Sequence, residues 1–362
     1  MGVRLAVWGA GAIGGTIGAY LIRAGHDVTL VDAHEAHVAA IRERGLRIEG
    51  PIDTFEVAAP AVLPHELEGT FDTILLCVKA QATEAATEAL APHLSADGAV
   101  VSAQNGLNEI AIARVVGEER TVGAFVNFGA DVLEPGTIHF GGRGAVVLGE
   151  LDGRRSERVT RLAEALKAFE PNVQVSDNLW GFLWGKMGYG AMLFASALSD
   201  ASIADVLASD EARPFLSALA REVLAIAAAE RIRPMGFNGF DPDAFGPDGR
   251  PEARDASFAE MVRFNRRSAK SHSGVWRDLA VHKRPTEVRA QFDPLIETAE
   301  RRGVDVPVVR AMVELVRAVE TGRERQSWAT MMRLADAVPP DGPVGTDTEG
   351  GAPTGRPEGS PA

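Results

Sequence analysis

The stretch VRLAVWGAGAIGGTIGAYLIRAGHDVTLVD, residues 3–32, constrains the fold more than any other part of the chain. A short apolar run ends at Trp8, a helical pattern of apolar residues spans 12–24, and a second apolar run ends at Asp32. A hydrophobic period that changes from strand to helix and back over so short a stretch predicts a βαβ unit. Such units build parallel sheets, so we expect an α/β domain of the Rossmann type in the first half of the chain.

Three glycines stand at the predicted strand-to-helix turn in G-x-G-x-x-G spacing. Gly9 permits the tight turn, Gly11 lets the backbone approach a pyrophosphate, and Gly14 lets the helix pack closely on the strand. The start of the helix also offers free N–H groups and a partial positive charge to phosphates. The motif therefore predicts a dinucleotide site rather than a merely tight turn. The residues expected to contact the cofactor are Gly9, Ala10, Gly11, Ala12, Ile13 and Gly14.

Asp32, at the end of the second predicted strand, bears on the choice of cofactor. A carboxylate there accepts hydrogen bonds from the ribose hydroxyls of NAD and repels the 2′-phosphate of NADP. We therefore expect NAD(H) to be favoured over NADP(H) as the cofactor. Arg42 and Arg44 lie farther along the chain and could soften this preference. A solvated aspartate at a strand end is the competing interpretation.

Further βα units follow this one. The runs 73–79 (TILLCVK) and 98–106 (GAVVSAQNG) read as strands that end near Lys79 and Asn105, with a helical pattern between them. Ligands of open α/β sheets bind beyond the carboxyl ends of the strands, so these side chains are candidate ligand contacts. Residues 121–150 read as strands with Pro-Gly turns, which predicts an antiparallel edge that finishes the sheet near residue 150. We place the dinucleotide-binding domain at 1–176.

The second half of the chain has helical periodicity. We place a helical substrate and catalytic domain at 177–335, including a helix opened by Pro285 and closed by Gly303. Residues 233–262, rich in Gly, Pro and Asp, read as a long loop between helices. The low-complexity tail at 338–362 is expected to be disordered.

The stretch LWGFLWGKMGYGAMLFASAL, residues 179–198, is apolar except for Lys186. A membrane span would bury that charge near the bilayer centre at about 2.5–3.5 kcal/mol, so a buried helix is favoured. Its four glycines each disfavour a helix, which indicates a close neighbour: another helix, or a cofactor and substrate. The lysine either extends its ammonium to water or faces a cleft.

Composition excludes several function classes. The formal net charge of −13 argues against nucleic-acid binding, and no His, Cys or Asp cluster has the spacing of a metal site. The single cysteine, Cys77, lies in an apolar run and is expected to be a structural thiol in a reducing compartment. With no signal-like N-terminus, the sequence indicates a cytoplasmic protein acting on a small molecule, and it is compatible with a homodimer.

Five motifs are spread along the chain: GAGAIGG at 9–15, CVKAQAT at 77–83, AQNGLNE at 103–109, LWGKMGYGA at 183–191 and RPTEVRAQ at 284–291. In their order and spacing they resemble the ketopantoate reductase family (2-dehydropantoate 2-reductases), within the 6-phosphogluconate dehydrogenase-like superfamily. The resemblance implies a Rossmann-type N-terminal domain with a parallel sheet, an all-α C-terminal domain, and an active site in the cleft between them.

The resemblance also implies roles for individual residues. Lys186 matches the family's catalytic lysine, Glu287 its glutamate at a helix start, and Asn105 and Lys79 its residues on the cofactor and substrate side. The implied reaction moves a hydride from nicotinamide to a 2-oxo carbon, while the lysine stabilises the charge on the oxygen and donates the proton. Glu287 would orient Lys186 or bind the product hydroxyl, and a carboxylate that merely complements a helix dipole is the alternative.

The chain departs from the family where the substrate binds. Gly190 and Phe194 stand where the family has asparagines, and Gly274 stands where it has a serine, although Ser273 is adjacent. With Trp276 nearby, these changes imply a roomier and more apolar pocket. We therefore expect a bulkier 2-oxo acid than ketopantoate. The residues that could clamp its carboxylate are Arg277, Lys283 and Arg284, and the substitute acid–base candidates are His272 and His282.

Three other functions remain open at this point. A mandelate-type dehydrogenase of the same family would act on a bulky 2-hydroxy acid. An imine or opine dehydrogenase would use another proton donor. A non-catalytic dinucleotide sensor is permitted by the lost asparagines, although retention of Lys186 and Glu287 argues against it.

Overall fold

The computed structural model describes residues 4–268 and 270–340. Its strands are β1 (Arg4–Trp8), β2 (Asp27–Val31), β3 (Leu46–Glu49), β4 (Phe55–Val57), β5 (Ala61–Val62), β6 (Phe71–Leu76), β7 (Leu94–Ser102), β8 (Thr121–Glu134), β9 (Thr137–Glu150) and β10 (Gln174–Val175). The helices among these strands are α1 (Ala12–Arg23), α2 (Glu35–Arg44), α3 (Thr83–Leu90), α4 (Glu109–Val116) and α5 (Glu157–Leu166).

The chain after β10 is helical. Its helices are α6 (Leu179–Ser196), α7 (Ile203–Ala208), α8 (Arg213–Ala229), α9 (Pro242–Phe245), α10 (Pro251–Arg267), α11 (Gly274–Ala280), α12 (Val288–Arg302), α13 (Pro307–Glu320) and α14 (Trp328–Met332). The fold is thus a Rossmann-type α/β unit followed by an all-α region, as the sequence predicts.

The strands form one sheet in the order β4-β3-β9-β8-β7-β6-β1-β2-β5, and β10 pairs with β9. The strands from β8 through β7, β6 and β1 to β2 and β5 are parallel, whereas β8 and β9 are antiparallel. The predicted antiparallel pair is therefore present, but its position at the edge of the sheet is wrong. The short strands β3 and β4, which the sequence analysis did not identify, pair beyond β9 and form that edge.

The register of the parallel strands lines up their carboxyl ends. Trp8 pairs with Val31 on one side and with Leu76 on the other, and Leu76 pairs with Ser102. Strands β1, β2, β6 and β7 consequently end in one row. The loops that leave this row carry the predicted ligand contacts, so the sheet brings them to one edge of the domain.

Helix α6 lies at the centre of the helical region and packs against α8 and α13. Residues on several of its sides are buried, including Leu183, Met187 and Phe194, as expected of a helix that is apolar all round. In the ranges that the structure describes, no helix combines the length and hydropathy required to cross a membrane.

Most of the glycines of α6 make room for another segment of this chain. A Cβ at Gly185 would lie 2.0 Å from the carbonyl oxygen of Met235, and one at Gly181 would lie 2.4 Å from that of Arg233. The backbone N–H of Met235 donates to the carbonyl of Gly181 at 2.8 Å. The close neighbour at these glycines is therefore the segment after α8, and not a cofactor or a substrate.

The prediction of a loop over residues 233–262 is wrong from residue 242 onward, because two helices lie there. Residues 242–245 form α9, and the long helix α10 begins with Pro251 in its first turn. Phe258, Met261 and Val262 of α10 are buried, and their spacing is that of one helical face. The Gly, Pro and Asp residues that precede α10 in the sequence concealed this helical spacing.

Two other sequence predictions concern the C-terminal part. Gly303 ends α12 with a left-handed φ of +67°, as predicted, but the helix begins at Val288 rather than at Pro285. The tail predicted to be disordered lies outside the described residues from position 341 onward.

Candidate active site

The glycine turn after β1 has the geometry that its motif predicts. Gly9 has a φ of +97°, and a Cβ there would lie 2.9 Å from the backbone of Cys77, so a side chain is excluded. A Cβ at Gly14 would lie 2.2 Å from the carbonyl oxygen of Gly9, which shows how closely α1 packs on the turn. At Gly11, by contrast, no heavy atom of the described neighbours lies within 4 Å of a Cβ. Two glycines thus serve packing, and Gly11 borders open space.

The other residues of the motif form the start of α1. Ala10 is buried, and its carbonyl oxygen lies 3.0 Å from Nε2 of His37. Ala12 and Ile13 are half-buried and form the first turn of the helix, with Gly11 at the N-cap. A glycine cap has no side chain to occupy the free N–H groups, so this helix start can accept an anion.

Asp32 directly follows β2 and is half-buried. Its Oδ1 accepts a hydrogen bond from the backbone N–H of His34 at 2.9 Å. The two arginines that could alter cofactor preference are engaged elsewhere. Arg42 forms an ion pair with Glu66, and Arg44 donates to the carbonyl oxygen of residue 135 at 2.7 Å.

Lys79 and Glu287, from opposite halves of the chain, meet beyond the carboxyl end of β6. Lys79 Nζ lies 2.7 Å from Asp278 Oδ2 and 3.8 Å from Glu287 Oε2. Glu287 Oε1 accepts a hydrogen bond from the backbone N–H of Ala80 at 2.7 Å. Asp278 is buried and also binds Arg284 at 2.7 Å. These contacts connect the helical region to the loop after β6.

Asn105 is exposed in the loop after β7. Its neighbour Gln104 is buried and donates to the carbonyl of Val78 and to the hydroxyl of Thr83, each at 2.8 Å. The Asn105 carbonyl accepts from the Asn108 side chain at 2.7 Å. The buried amides therefore hold the loop and leave the Asn105 side chain at the surface of the sheet edge.

Lys186 lies in the middle of α6 and makes a second contact between the two regions of the fold. Its Nζ donates to the carbonyl oxygen of Val126 in β8 at 2.6 Å and lies 5.4 Å from the ring centroid of Phe125. Burial lowers the pKa of Lys186 to about 8, although the charges of Glu109 and Glu287 act in the opposite direction. The structure thus combines an ammonium of lowered pKa with the charges of two carboxylates.

Glu109 is a site residue that the sequence analysis missed. It is the first residue of α4 and is 0% exposed. Burial raises its pKa to about 7, and the Lys186 ammonium acts in the opposite direction. The signal was present in the sequence, since a glutamate in the motif AQNGLNE precedes an apolar helix. A carboxylate in the first turn of a helix is common enough that this position did not stand out.

The predicted substrate residues have different surroundings. Gly190 borders open space, whereas Phe194 is 4% exposed and packs edge-on against Phe292 with ring centroids 5.1 Å apart. Ser273 is buried, and its hydroxyl caps α11 by accepting from the backbone N–H of Trp276 at 3.1 Å. Phe194 therefore takes part in core packing, and Ser273 caps a helix.

Gly274 and Trp276 lie on the first turn of α11. Gly274 is exposed and borders open space. The Trp276 ring is 4.1 Å from the ring of His272, and its indole N–H is buried without a hydrogen-bond acceptor among the described residues. A buried donor without an acceptor is unusual in a folded protein.

The arginines proposed to clamp a carboxylate already have acidic partners. Arg277 lies 2.9 Å from Asp131, and Arg284 binds Asp278. Lys283 is exposed. Lys270, which the sequence analysis did not select, is near the same aspartates, and burial lowers its pKa.

Neither metal nor thiol chemistry is indicated in this region. Over the described ranges, the His, Cys, Asp and Glu side chains form no group of three or more that could hold a metal ion. Burial raises the pKa of Cys77 to about 12, so this thiol is a poor nucleophile.

Comparisons with known proteins agree with this arrangement. Residues 5–153 match the family model "Ketopantoate reductase PanE/ApbA", and residues 179–320 match "Ketopantoate reductase PanE/ApbA C terminal". A curated 2-dehydropantoate 2-reductase of Archaeoglobus fulgidus is 31% identical over 321 residues, which cover 88% of this chain and 98% of the relative.

Two solved structures share the fold. A PanE/ApbA family ketopantoate reductase from Ralstonia eutropha superposes with a TM-score of 0.74 at 26% identity, covering 88% of this chain and 99% of the other. A D-mandelate dehydrogenase, solved as a ternary structure with NADH and anilino(oxo)acetate, superposes with a TM-score of 0.76 at 24% identity over the same shares.

Proposed function

Because the chain belongs to the ketopantoate reductase PanE/ApbA family, we propose that it uses NAD(P)H to reduce a 2-oxo acid to the 2-hydroxy acid, with Lys186 as the proton donor. Family membership makes it an NAD(P)-dependent oxidoreductase that acts on a CH–OH group. The observation that carries the proposal is the position of Lys186, a half-buried ammonium whose charge interacts with Glu287, which in turn contacts the loop after β6.

The residues of the glycine turn fit a dinucleotide. Gly11 borders open space where a side chain would intrude, and the start of α1 offers unoccupied N–H groups. Gly9, Ala10, Gly11, Ala12, Ile13 and Gly14 would hold the pyrophosphate, and Asn105 and Lys79 would contact the cofactor beyond the strand ends. The bound nicotinamide supplies the hydride that the reaction requires.

Asp32 favours NAD(H) over NADP(H). Its carboxylate is half-buried at the end of β2, where the ribose hydroxyls of NAD would bind and a 2′-phosphate would be repelled. The nearby arginines do not offset this charge, because Arg42 pairs with Glu66 and Arg44 binds a backbone carbonyl. The D-mandelate dehydrogenase of the same fold contains NADH, which supports this preference.

Lys186 has the protonation behaviour that the reaction requires. With a pKa of about 8, the side chain is largely charged at neutral pH and stabilises the negative charge that develops on the carbonyl oxygen. The lowered pKa also makes its proton easier to transfer to that oxygen than the proton of an ordinary lysine. After the transfer, the neutral amine regains a proton from solvent.

Glu287 assists from the start of α12. Among the described residues its side chain makes no capping bond to its own helix, and it binds the backbone N–H of Ala80 instead. A carboxylate that only complements the helix dipole would not need this partner. We assign Glu287 to orienting Lys186 or binding the product hydroxyl, two roles that differ in whether Glu287→Gln mainly changes kcat or KM.

The substrate is a bulkier and more apolar 2-oxo acid than ketopantoate. The open space at Gly190 and the buried ring of Phe194 replace side chains that would otherwise donate hydrogen bonds, while Trp276 supplies an unpaired indole N–H. Ser273 and Gly274 lie beside Trp276 on α11. These residues leave room for a large side chain and few groups to bind a hydroxyl.

A mandelate-type dehydrogenase is the second candidate, because the D-mandelate dehydrogenase has the same fold. It would use the same residues to oxidise a 2-hydroxy acid, with Lys186 accepting the proton. The two candidates differ in substrate and in the direction favoured at physiological concentrations.

The experiment that tests the proposal is a panel of 2-oxo acids of graded size, with NADH oxidation followed by nicotinamide absorbance. We expect kcat/KM to rise from small to bulky, apolar side chains. Gly190→Asn, in open space, should shift the preference toward smaller and more polar acids. Tight NADH binding without oxidation by any acid would contradict the proposal and favour a sensor.

A further inference from the structure

A buried carboxylate that the proposed mechanism does not use lies beneath the catalytic lysine. Glu109 is 0% exposed, and neither of its carboxylate oxygens has a described hydrogen-bond partner in good geometry, although the Ser102 hydroxyl and the Glu109 backbone N–H are close enough to lower its pKa. Buried carboxylates are nearly always paired, so an unpaired one needs a charge nearby or a functional reason.

The geometry of β8 shows which charge is nearby. A Cβ at Gly123 would lie 3.4 Å from Glu109 Oε1, so the carboxylate rests against this glycine. Phe125 is two residues farther along the same strand, and alternate residues of a strand face the same side at a spacing of about 7 Å. Lys186 Nζ lies 5.4 Å from the Phe125 ring centroid. The carboxylate and the ammonium therefore lie on one face of β8, beneath α6.

The absence of a side chain at position 123 is part of this arrangement. Gly123 is also in contact with Leu179, whose Cδ2 would be 2.1 Å from a Cβ there. A larger residue would displace both Leu179 and Glu109. The strand thus leaves space for a carboxylate in an otherwise apolar layer between α4 and α6.

We propose that Glu109 is a positioning residue that acts through Lys186, placing a negative charge on its face of β8 so that the half-buried ammonium stays protonated for each turnover. The proposal rests on the proposed role of Lys186 as the proton donor. The charged groups that act on Lys186 among the described residues are Glu109 and Glu287. Glu287 also binds the backbone N–H of Ala80 and the Lys79 ammonium. The groups that lower the pKa of Glu109 are its own backbone N–H, the Ser102 hydroxyl and Lys186, and Lys186 is the one cation among them.

The pKa values are consistent with this role. Burial lowers the pKa of Lys186 to about 8 and raises that of Glu109 to about 7, and each group opposes the shift of the other. Groups coupled in this way titrate as a pair, and removal of one charge shifts the titration of the other.

The test uses Glu109→Gln, which removes the charge and keeps the shape. The protein is labelled with carbon-13 lysine, and the ε-carbon shift of Lys186 is followed against pH in the holoenzyme and in the free protein. The spectrum is simple because the lysines of the chain are Lys79, Lys167, Lys186, Lys270 and Lys283. The Lys186 signal is assigned by its loss in Lys186→Arg.

We expect the pKa of Lys186 to fall by at least about one unit in Glu109→Gln. The high-pH limb of the kcat profile should move down by the same amount, with KM unchanged and kcat recovering at low pH. A merely structural role would lower kcat at all pH values. Should Gln not permit folding, Glu109→Met removes the charge with an unbranched apolar side chain suited to a buried site, and the same shift is expected.

Glu222→Gln is the matched control. Glu222 is a second glutamate whose pKa burial raises to about 7, but it accepts bonds from backbone N–H groups at the start of α13 and does not act on Lys186. This variant should leave the Lys186 titration unchanged. An unchanged Lys186 pKa in both charge-removing variants at Glu109 would overturn the proposal. That result is distinct from failure of the proposed function, which would appear as an inactive wild type with the Lys186 shift still measurable.

Discussion

Exchange of single glycines for alanine separates cofactor binding from packing in the turn after β1. In Gly14→Ala the new methyl group would lie 2.2 Å from the carbonyl oxygen of Gly9, and the backbone must shift. Overpacking of this kind costs about 1–3 kcal/mol. At about 2–4 °C per kcal/mol, we expect a clear fall in Tm. In Gly11→Ala the methyl group enters open space, and Tm should change little.

The expected effects on cofactor affinity are reversed. If the open space at Gly11 is where a pyrophosphate approaches the backbone, Gly11→Ala should weaken NADH binding at least tenfold, or about 1.4 kcal/mol. The Kd is measured by titration of NADH fluorescence, with Tm from differential scanning calorimetry on the same samples. Wild-type affinity in a stable Gly11→Ala protein would refute the assignment of this turn as the cofactor site.

Three further predictions concern other positions. Gly185→Ala should lower Tm because its Cβ would meet the Met235 carbonyl at 2.0 Å, whereas Gly190→Ala should not; equal Tm values would show that α6 tolerates the contact. The wild type should have a higher kcat/KM for NADH than for NADPH, with the ratio reduced in Asp32→Ala, and a preference for NADPH would contradict the role of this carboxylate. The pKa of Glu222 is about 7 when folded against about 4.5 when unfolded, so its contribution to the free energy of unfolding falls as pH rises between those values. The Tm of Glu222→Gln should therefore fall less than that of the wild type between about pH 5 and pH 8. An identical fall in both proteins would refute the raised pKa of Glu222.

The geometry of the glycine turn after β1 was predictable because it is set by local sequence. Gly9, Gly11 and Gly14 act through the backbone of one turn, and their spacing defines that turn whatever surrounds it. Strand periodicity likewise placed Lys79 and Asn105 beyond strand ends, where the parallel register brings them to one edge.

The other features of the candidate site depend on contacts between distant parts of the chain. Asp278 was missed because its significance comes from Lys79, which is far from it in sequence. Glu109 was missed because only tertiary packing reveals that its carboxylate is buried and unpaired. The glycines of α6 indicated a close neighbour correctly, but periodicity has no information on whether that neighbour is a ligand or, as at Gly185, another backbone segment.

The rate of the chemical step in Lys186→Met tests the central claim most directly. The measurement is a single turnover of bound NADH with a saturating 2-oxo acid, compared with Lys167→Met, which removes an exposed lysine at the C-cap of α5. We predict a loss of at least about 10²–10⁴-fold for Lys186→Met with NADH affinity retained, and no loss for the control. The wild-type rate should fall above about pH 8, where Lys186 loses its proton. A near-wild-type rate in Lys186→Met would contradict the account.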